Sequence, residues 1–155
     1  MTEFSEDLCL QMKSELSLFH FLDEDDLVEM PCYFALMELS RGETLCREGD
    51  PCDYVAFIVS GSLEIKKQTE FEGKQVILGV YSKGSIVGEL CILDGQPRAV
   101  SAEALEDTTL VILTRENLDK LIVEHPDLGV KFLKGMLVTV SIRLRKSFDR
   151  LAAIF

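Results

Sequence analysis

A mainly β fold, a barrel or double-sheet roll between helical ends, is what this 155-residue chain predicts. Three observations carry that expectation. Between residues 33 and 113, short runs rich in β-formers recur: YFALMEL, ETLC, YVAFIV, SLEIKK, KQVILGVY, SAEA and TTLVIL. Turn signals punctuate them at Arg41-Gly42, Gly49-Asp50-Pro51, Ser60-Gly61, Glu72-Gly73, Lys83-Gly84 and Gly95-Gln96-Pro97, which is the spacing of an all-β barrel or double-sheet roll. On either side the apolar period changes to that of a helix.

Taken in order, the chain divides into N-terminal helices (1–31), the roll (32–113) and C-terminal helices (114–155), all one domain. Residues 5–19 predict a helix with Ser5 as N-cap, acids in the first turn, and Leu8, Met12, Leu16 and Phe19 on one face. A second, short helix starts near Asp23, with Glu24, Asp25 and Asp26 complementing its dipole and Pro31 stopping it. Gly61 and Gly73 sit where tight turns require positive φ. Thr114 caps a helix carrying Leu118, Leu121 and Ile122, and Pro126 opens a longer one to about Leu151. On that last helix Val130, Leu133, Leu137, Val140, Leu144, Ser147, Leu151 and Ile154 recur at spacings of three and four. Such a heptad seam suits pairing with another helix; it equally suits packing on the roll.

Composition excludes several classes. The length and the 47% hydrophobic content suit one domain with a real core. The longest apolar runs, such as VAFIV, are too short to span a bilayer, and no signal peptide opens the chain, so a cytoplasmic location is expected. The five cysteines, Cys9, Cys32, Cys46, Cys52 and Cys91, form no CxxC pair; small buried or half-buried thiols are expected. His20 and His125, the only histidines, have no partner at ligand spacing, so no metal is expected. The net charge of −11 argues against nucleic-acid binding. It is unevenly spread: nine acids and one base in residues 1–30, six bases and one acid in 131–155. The basic segment reads as the solvated face of a helix.

Chemistry concentrates in GELCILDGQPRAV, residues 88–100. Gly88 permits close backbone approach. The residues after it can form a helical turn whose free N–H groups attract an anion. Arg98 offers a forked donor array suited to phosphate, and Ala99 is small enough to bring its own N–H near the same anion. Glu89 accepts only, which suits a sugar hydroxyl. Together these describe a sugar-phosphate pocket; a surface ion pair between Glu89 and Arg98 explains the same residues.

The order of motifs shifts the weight toward the pocket. RGETLCREGDPCDYVAFIVSGSLEIKK followed by GKQVILGVYSKGSIVGELCILDGQPRAV resembles the cyclic nucleotide-binding domain family, which includes the catabolite activator-type (Crp/Fnr-like) regulators and the regulatory subunits of cyclic-AMP-dependent kinase. The resemblance runs from about Leu16 to Leu151. It rests on the Gly42 and Gly49 turns, Ile58-Val59-Ser60-Gly61, the Gly84 turn, Gly88-Glu89-Leu90 and Pro97-Arg98-Ala99. It implies a jelly-roll-like β-roll, a double-stranded β-helix, with N-terminal helices and a long C-terminal helix. In that family's pattern Glu89 takes the ribose 2′-hydroxyl and Arg98 the cyclic phosphate. The amides of Leu90, Cys91 and Ala99 complete the cradle, and Gly88 allows the approach. Leu78, Gly79 and Val100 lie beside the base, and Ser147 presents a hydroxyl to adenine.

Departures from the pattern shape the expectation. Val100 stands where the family commonly has alanine, which tightens the pocket. Ala99 lacks the hydroxyl that some members use toward phosphate or guanine, which favours cyclic AMP over cyclic GMP. Phe148 is bulky and competes for base space. Cys91 lies inside the cassette, where its oxidation would interfere with an anion. No cofactor is implied. The chain ends about where the family's connecting helix ends, so the reading is a regulatory sensor whose ligand moves the C-terminal helix and a homodimer or protein-partner surface, without direct DNA contact. A ligand-free interaction module with the same fold is the alternative. An enzyme is not expected, since neither a clustered metal-ligand set nor a Ser–His–Asp or Cys–His pairing is present.

Overall fold

The computed structural model describes residues 6–15 and 21–155. Helix α1 spans Glu6–Glu15 and α2 Glu24–Glu29; the expected cap Ser5 and the seam residues Leu16 and Phe19 lie outside the described residues. The second helix begins as its sequence demands. The Asp23 carboxylate accepts from the Asp26 amide, and the Asp26 carboxylate accepts from the Asp23 amide, a reciprocal capping box. A 3-10 turn, Met30–Cys32, with Pro31 inside it, ends the helical start.

Eight strands follow: β1 Phe34–Leu39, β2 Thr44–Cys46, β3 Tyr54–Ser60, β4 Ser62–Gln68, β5 Gln75–Ser82, β6 Ile86–Val87, β7 Ser101–Ala104 and β8 Thr108–Thr114. They form two four-stranded antiparallel sheets, ordered β1-β8-β3-β6 and β2-β7-β4-β5. This is the double-sheet roll the turn spacing predicts, with one addition. The two-residue β6 pairs with Ala56 and Phe57 of β3 and is too short for any periodic signal.

The unbroken apolar run of β3 has a structural cause. Its sheet is covered on both faces. Ala56, Ile58, Leu110 and Ile112 face the second sheet, while Val55, Phe57, Val59 and Val111 face the helices. Strand β4, covered on one face only, alternates instead: Leu63 and Ile65 are buried and Glu64 and Lys66 face outward.

Two helices close the chain. Thr114, the last residue of β8, caps α3 (Arg115–Glu124) by accepting from the Asn117 amide, so strand passes into helix with no loop. Helix α4 runs Pro126–Ala152. Its inward face is Leu128, Gly129, Phe132, Gly135 and Met136. Phe132 meets Phe34 and Phe57 at centroid separations of 5.9 Å each, in edge-on geometry. Lys131 reaches Asp23 and Asp26 at 3.1 and 2.7 Å, so one base of the C-terminal segment is paired with the N-terminal acids. The heptad seam lies on another face and stays open: Leu137, Leu144, Leu151 and Ile154 are all exposed. From Leu144 onward every residue is exposed.

The expectation of buried thiols holds for Cys9 and Cys46; Cys32 is a thiol but exposed, and the other pair departs altogether. Cys52 and Cys91 form a disulfide, with their Cα atoms 5.9 Å apart. They are 39 residues apart in sequence, and only the tertiary meeting of the segment before β3 with the turn after β6 brings them together. No described helix is long and apolar enough to cross a membrane.

Candidate ligand-binding site

The segment between β6 and β7 wraps one end of the roll. Gly88, at φ +98°, turns the chain after β6, and the Cys91 and Ile92 amides donate to its carbonyl at 3.3 and 3.1 Å, forming the expected helical turn. A side chain at 88 has no room: a Cβ there would lie 2.4 Å from Arg98 Nη1 and 2.8 Å from the Tyr54 carbonyl oxygen. The second half of the segment is strapped to a neighbouring loop. The Gly49 amide donates to the Arg98 carbonyl and the Arg98 amide donates to the Asp50 carbonyl, both at 2.8 Å.

That strap holds the Arg98 side chain inward. The residue is 4% exposed, with its guanidinium carbon 4.3 Å from the centre of the Tyr54 ring. Neither Nη1 nor Nη2 has a hydrogen-bond partner among the described residues. A buried cation without an acceptor costs several kcal/mol unless something compensates it. The cation–π contact with Tyr54 offsets part of that; an incoming anion would offset the rest. Burial raises the Tyr54 phenol and the Cys46 thiol above their ordinary pKa values, and the charge of Arg98 opposes both shifts.

Glu89 is not paired with Arg98. Its carboxylate, 6% exposed, takes a charge-assisted hydrogen bond from Arg143 Nη1 of α4, whose Nη2 donates to the Ile86 carbonyl. The Arg143 guanidinium also stacks on Tyr81 of β5, 4.6 Å from the ring centre. Burial pushes the Arg143 pKa below its ordinary value, and the neighbouring Tyr81 phenol opposes this. Nothing in the sequence marked Arg143, which reads there as one more cation on a solvated helix. Arg115 was missed for the same reason. At the start of α3 it donates from Nε to the Ile92 carbonyl at 3.0 Å, and from Nη2 to the Cys52 and Cys91 carbonyls at 2.9 and 3.0 Å.

The hollow so enclosed gathers Gly88, Glu89, Leu90, Cys91, Arg98, Ala99 and Val100, with Arg143 and Tyr81 across it. Other expected site residues fall elsewhere. Leu78 is exposed on β5, opposite the irregularity where Ile65 pairs with Gly79 and Lys66 with Ile77, and neither it nor Gly79 lines the hollow. Ser147 lies one turn beyond Arg143, exposed, with its hydroxyl donating to the Arg143 carbonyl at 3.0 Å. Phe148 is likewise exposed and does not plug the space. The Cys91 amide, expected in the anion cradle, is used within the turn. His125 faces Glu29 at 3.6 Å; His20 lies outside the described residues. No group of three or more His, Cys, Asp or Glu among the described residues is placed to hold a metal ion.

The free volume is about 50 Å³, whereas small-molecule sites usually run to roughly 300–1,000 Å³. A larger hollow of about 290 Å³ lies on the outer face of the second sheet. Its Lys66 is paired with Glu64 and Glu103 at 3.1 and 3.4 Å, and its Glu48 with Lys67 at 2.7 Å. The chemistry therefore points to the smaller hollow, where an unpaired cation waits.

A roll that presents a glycine turn, a buried carboxylate and an unpaired guanidinium at one end defines a class. The chain belongs to the cyclic nucleotide-binding domain family, whose profile matches residues 36–125. Among known proteins it is similar to the anaerobic regulatory protein of Bacillus subtilis, 32% identical over 130 residues, covering 79% of this chain and 52% of that one. It is also similar to the CRP-like cAMP-activated global transcriptional regulator of Mycobacterium tuberculosis, 28% identical over 116 residues, 75% of this chain and 50% of that one. The chain thus spans about half the length of these relatives. In fold it matches a cyclic nucleotide-binding domain from Methylobacillus flagellatus with a TM-score of 0.88, at 24% identity, over 97% of this chain and 85% of that one.

Proposed function

We propose that the chain is a cyclic nucleotide sensor, with cyclic AMP its preferred ligand, in which binding displaces Arg143 and so frees the outer half of α4. The observation that carries this is the buried Arg98 guanidinium with two nitrogens unpaired. The ring phosphate accepts from Arg98, and the free amides around Leu90 and Ala99 assist it. The ribose 2′-hydroxyl donates to Glu89. That carboxylate is held by Arg143, and a hollow of about 50 Å³ cannot admit a nucleotide as it stands. Entry therefore moves the side chain that ties α4 to the roll. The ligand acts because it binds the released arrangement better than the latched one. The role proposed is regulatory, with output through a second copy or a protein partner.

Calorimetry tests this. Wild-type chain binds cyclic AMP more tightly than cyclic GMP, and Arg98→Ala weakens binding about a hundredfold or more, as loss of one half of a buried charge pair does. Arg143→Ala binds more tightly than wild type, because the competitor for Glu89 is gone. No heat with either nucleotide on the wild type ends the proposal, and weaker binding by Arg143→Ala ends the displacement step. A second reading, a ligand-free interaction module, is favoured by the small hollow and the open apolar seam of α4.

A further inference from the structure

The loop at 49–53 anchors both halves of the candidate site. Through Gly49 and Asp50 it grips the backbone of Arg98. Through Cys52 it is bonded to Cys91, in the turn that carries Glu89 and Leu90. Cys91 also lines the hollow, beside Arg98. One covalent bond therefore closes a bracket around the hollow that holds the guanidinium.

The same bracket has a non-covalent clasp. Arg115 bonds to the carbonyls of Cys52, Cys91 and Ile92. With the disulfide gone, this guanidinium still joins the two segments, so reduction loosens the turn without unfolding the roll. A thiol acceptor is also in place. The Gly88 carbonyl oxygen lies 3.5 Å from Cys91 Sγ and 3.9 Å from Cys52 Sγ, within reach of the S–H groups that reduction creates. Both residues are under 10% exposed, so the hollow itself is the route for a small oxidant.

We propose that Cys52 and Cys91 are a redox-modification site that sets the anion affinity of the turn at 88–94: the disulfide form holds the hollow closed, and the dithiol form lets it open. This rests on the sensor reading for its ligand but not for its chemistry. Oxidation needs a two-electron oxidant of the peroxide class. One thiolate attacks a peroxide oxygen, the O–O bond breaks, and water leaves after protonation of the departing oxygen. The second thiol then attacks the resulting sulfenic acid, the S–S bond forms, and a second water departs with its proton. A dithiol reductant reverses this by exchange, ending oxidised itself while both cysteines regain protons. Linkage makes the coupling reciprocal: a nucleotide that favours the open turn also favours the dithiol.

The test uses the full chain, oxidised with hydrogen peroxide or reduced with dithiothreitol, with the pairing checked by peptide mapping after alkylation. Reduced wild type binds cyclic AMP about tenfold more tightly than oxidised, a modest shift in the open population. Cys52→Ser/Cys91→Ser behaves like the reduced form under both treatments. Amide hydrogen exchange over residues 88–95 is faster in the reduced chain. The proposal is overturned if mapping finds Cys52 and Cys91 unpaired after peroxide, if dithiothreitol leaves the bond intact in the folded chain, or if the two forms have equal affinity. If neither form binds either nucleotide, the sensor reading fails, and the switch is judged on exchange alone: equal rates over 88–95 sink it, faster exchange on reduction upholds it.

Discussion

At Gly88 the backbone and the binding chemistry make the same demand. The positive φ is uncomfortable for any other residue, and the missing Cβ is what lets Arg98 lie against the turn. Gly49 has a similar φ, +89°, but nothing within 4 Å of a Cβ position. The pair separates two costs. Gly49→Ala should lose about 1 kcal/mol in urea denaturation, from the backbone alone. Gly88→Ala should lose roughly 2–4 kcal/mol, because the Tyr54 carbonyl cannot retreat as a side-chain tip can, and it should also displace Arg98. Equal losses at both positions would show that the turn yields freely. Gly88, Glu89 and Arg98 were legible because residue type and order carry their chemistry. Arg115 and Arg143 were not. Each reads as an ordinary helix cation, and only the packing of α3 and α4 against the turn brings their guanidinium groups to buried carbonyls and a carboxylate.

Among the elements, strands were easier to read than their connections. Glycine turns bound the runs of β-formers, so seven of the eight strands are recognisable, while β6 has two residues and no pattern. The Cys52–Cys91 bond was illegible because pairing across 39 residues is a tertiary fact. The junction between roll and helices carries a testable charge effect. The Tyr33 hydroxyl, just before β1, donates to the Glu124 carboxylate at the end of α3, and the Asn117 side-chain amide donates to the Tyr33 carbonyl at 2.8 Å. That hydrogen bond, helped by burial, pushes the phenol up to about 12. The folded value thus lies above the ordinary one near 10, so the folded chain holds this proton more tightly than the unfolded one. Its stabilisation is fully present below pH 10 and lost as pH rises toward 12. Tyr33→Phe should remove the highest-pH phenolate step from an absorbance titration and flatten the fall of the urea midpoint across that interval. An unchanged profile would mean that Glu124 does not hold the proton.

Across the whole molecule, α4 has two jobs on two faces. Phe132 and Met136 seal the core, and the seam of Leu137, Leu144, Leu151 and Ile154 faces outward with no described partner. The sequence showed the seam but not which surface would claim it, since both pairing and packing use the same spacing. With Arg143 latched, the outer half of the helix is tied to the roll through that side chain. If the proposed output through a second copy holds, that copy covers the seam and sedimentation finds a dimer. Leu144→Asp should yield monomers that keep wild-type nucleotide affinity. A dimer that survives the substitution would place the assembly surface elsewhere.

Two stacked rings, Tyr81 in the lining of the hollow and Tyr54 against Arg98, have a practical use. The chain contains no tryptophan and three tyrosines, two of which, Tyr54 and Tyr81, each lie beneath a guanidinium. Intrinsic fluorescence is therefore dominated by a handful of phenols, most of them at the pocket. Lifting a cation off one ring, or neutralising the other from above, alters the emission directly, so the protein supplies its own dye-free gauge of occupancy.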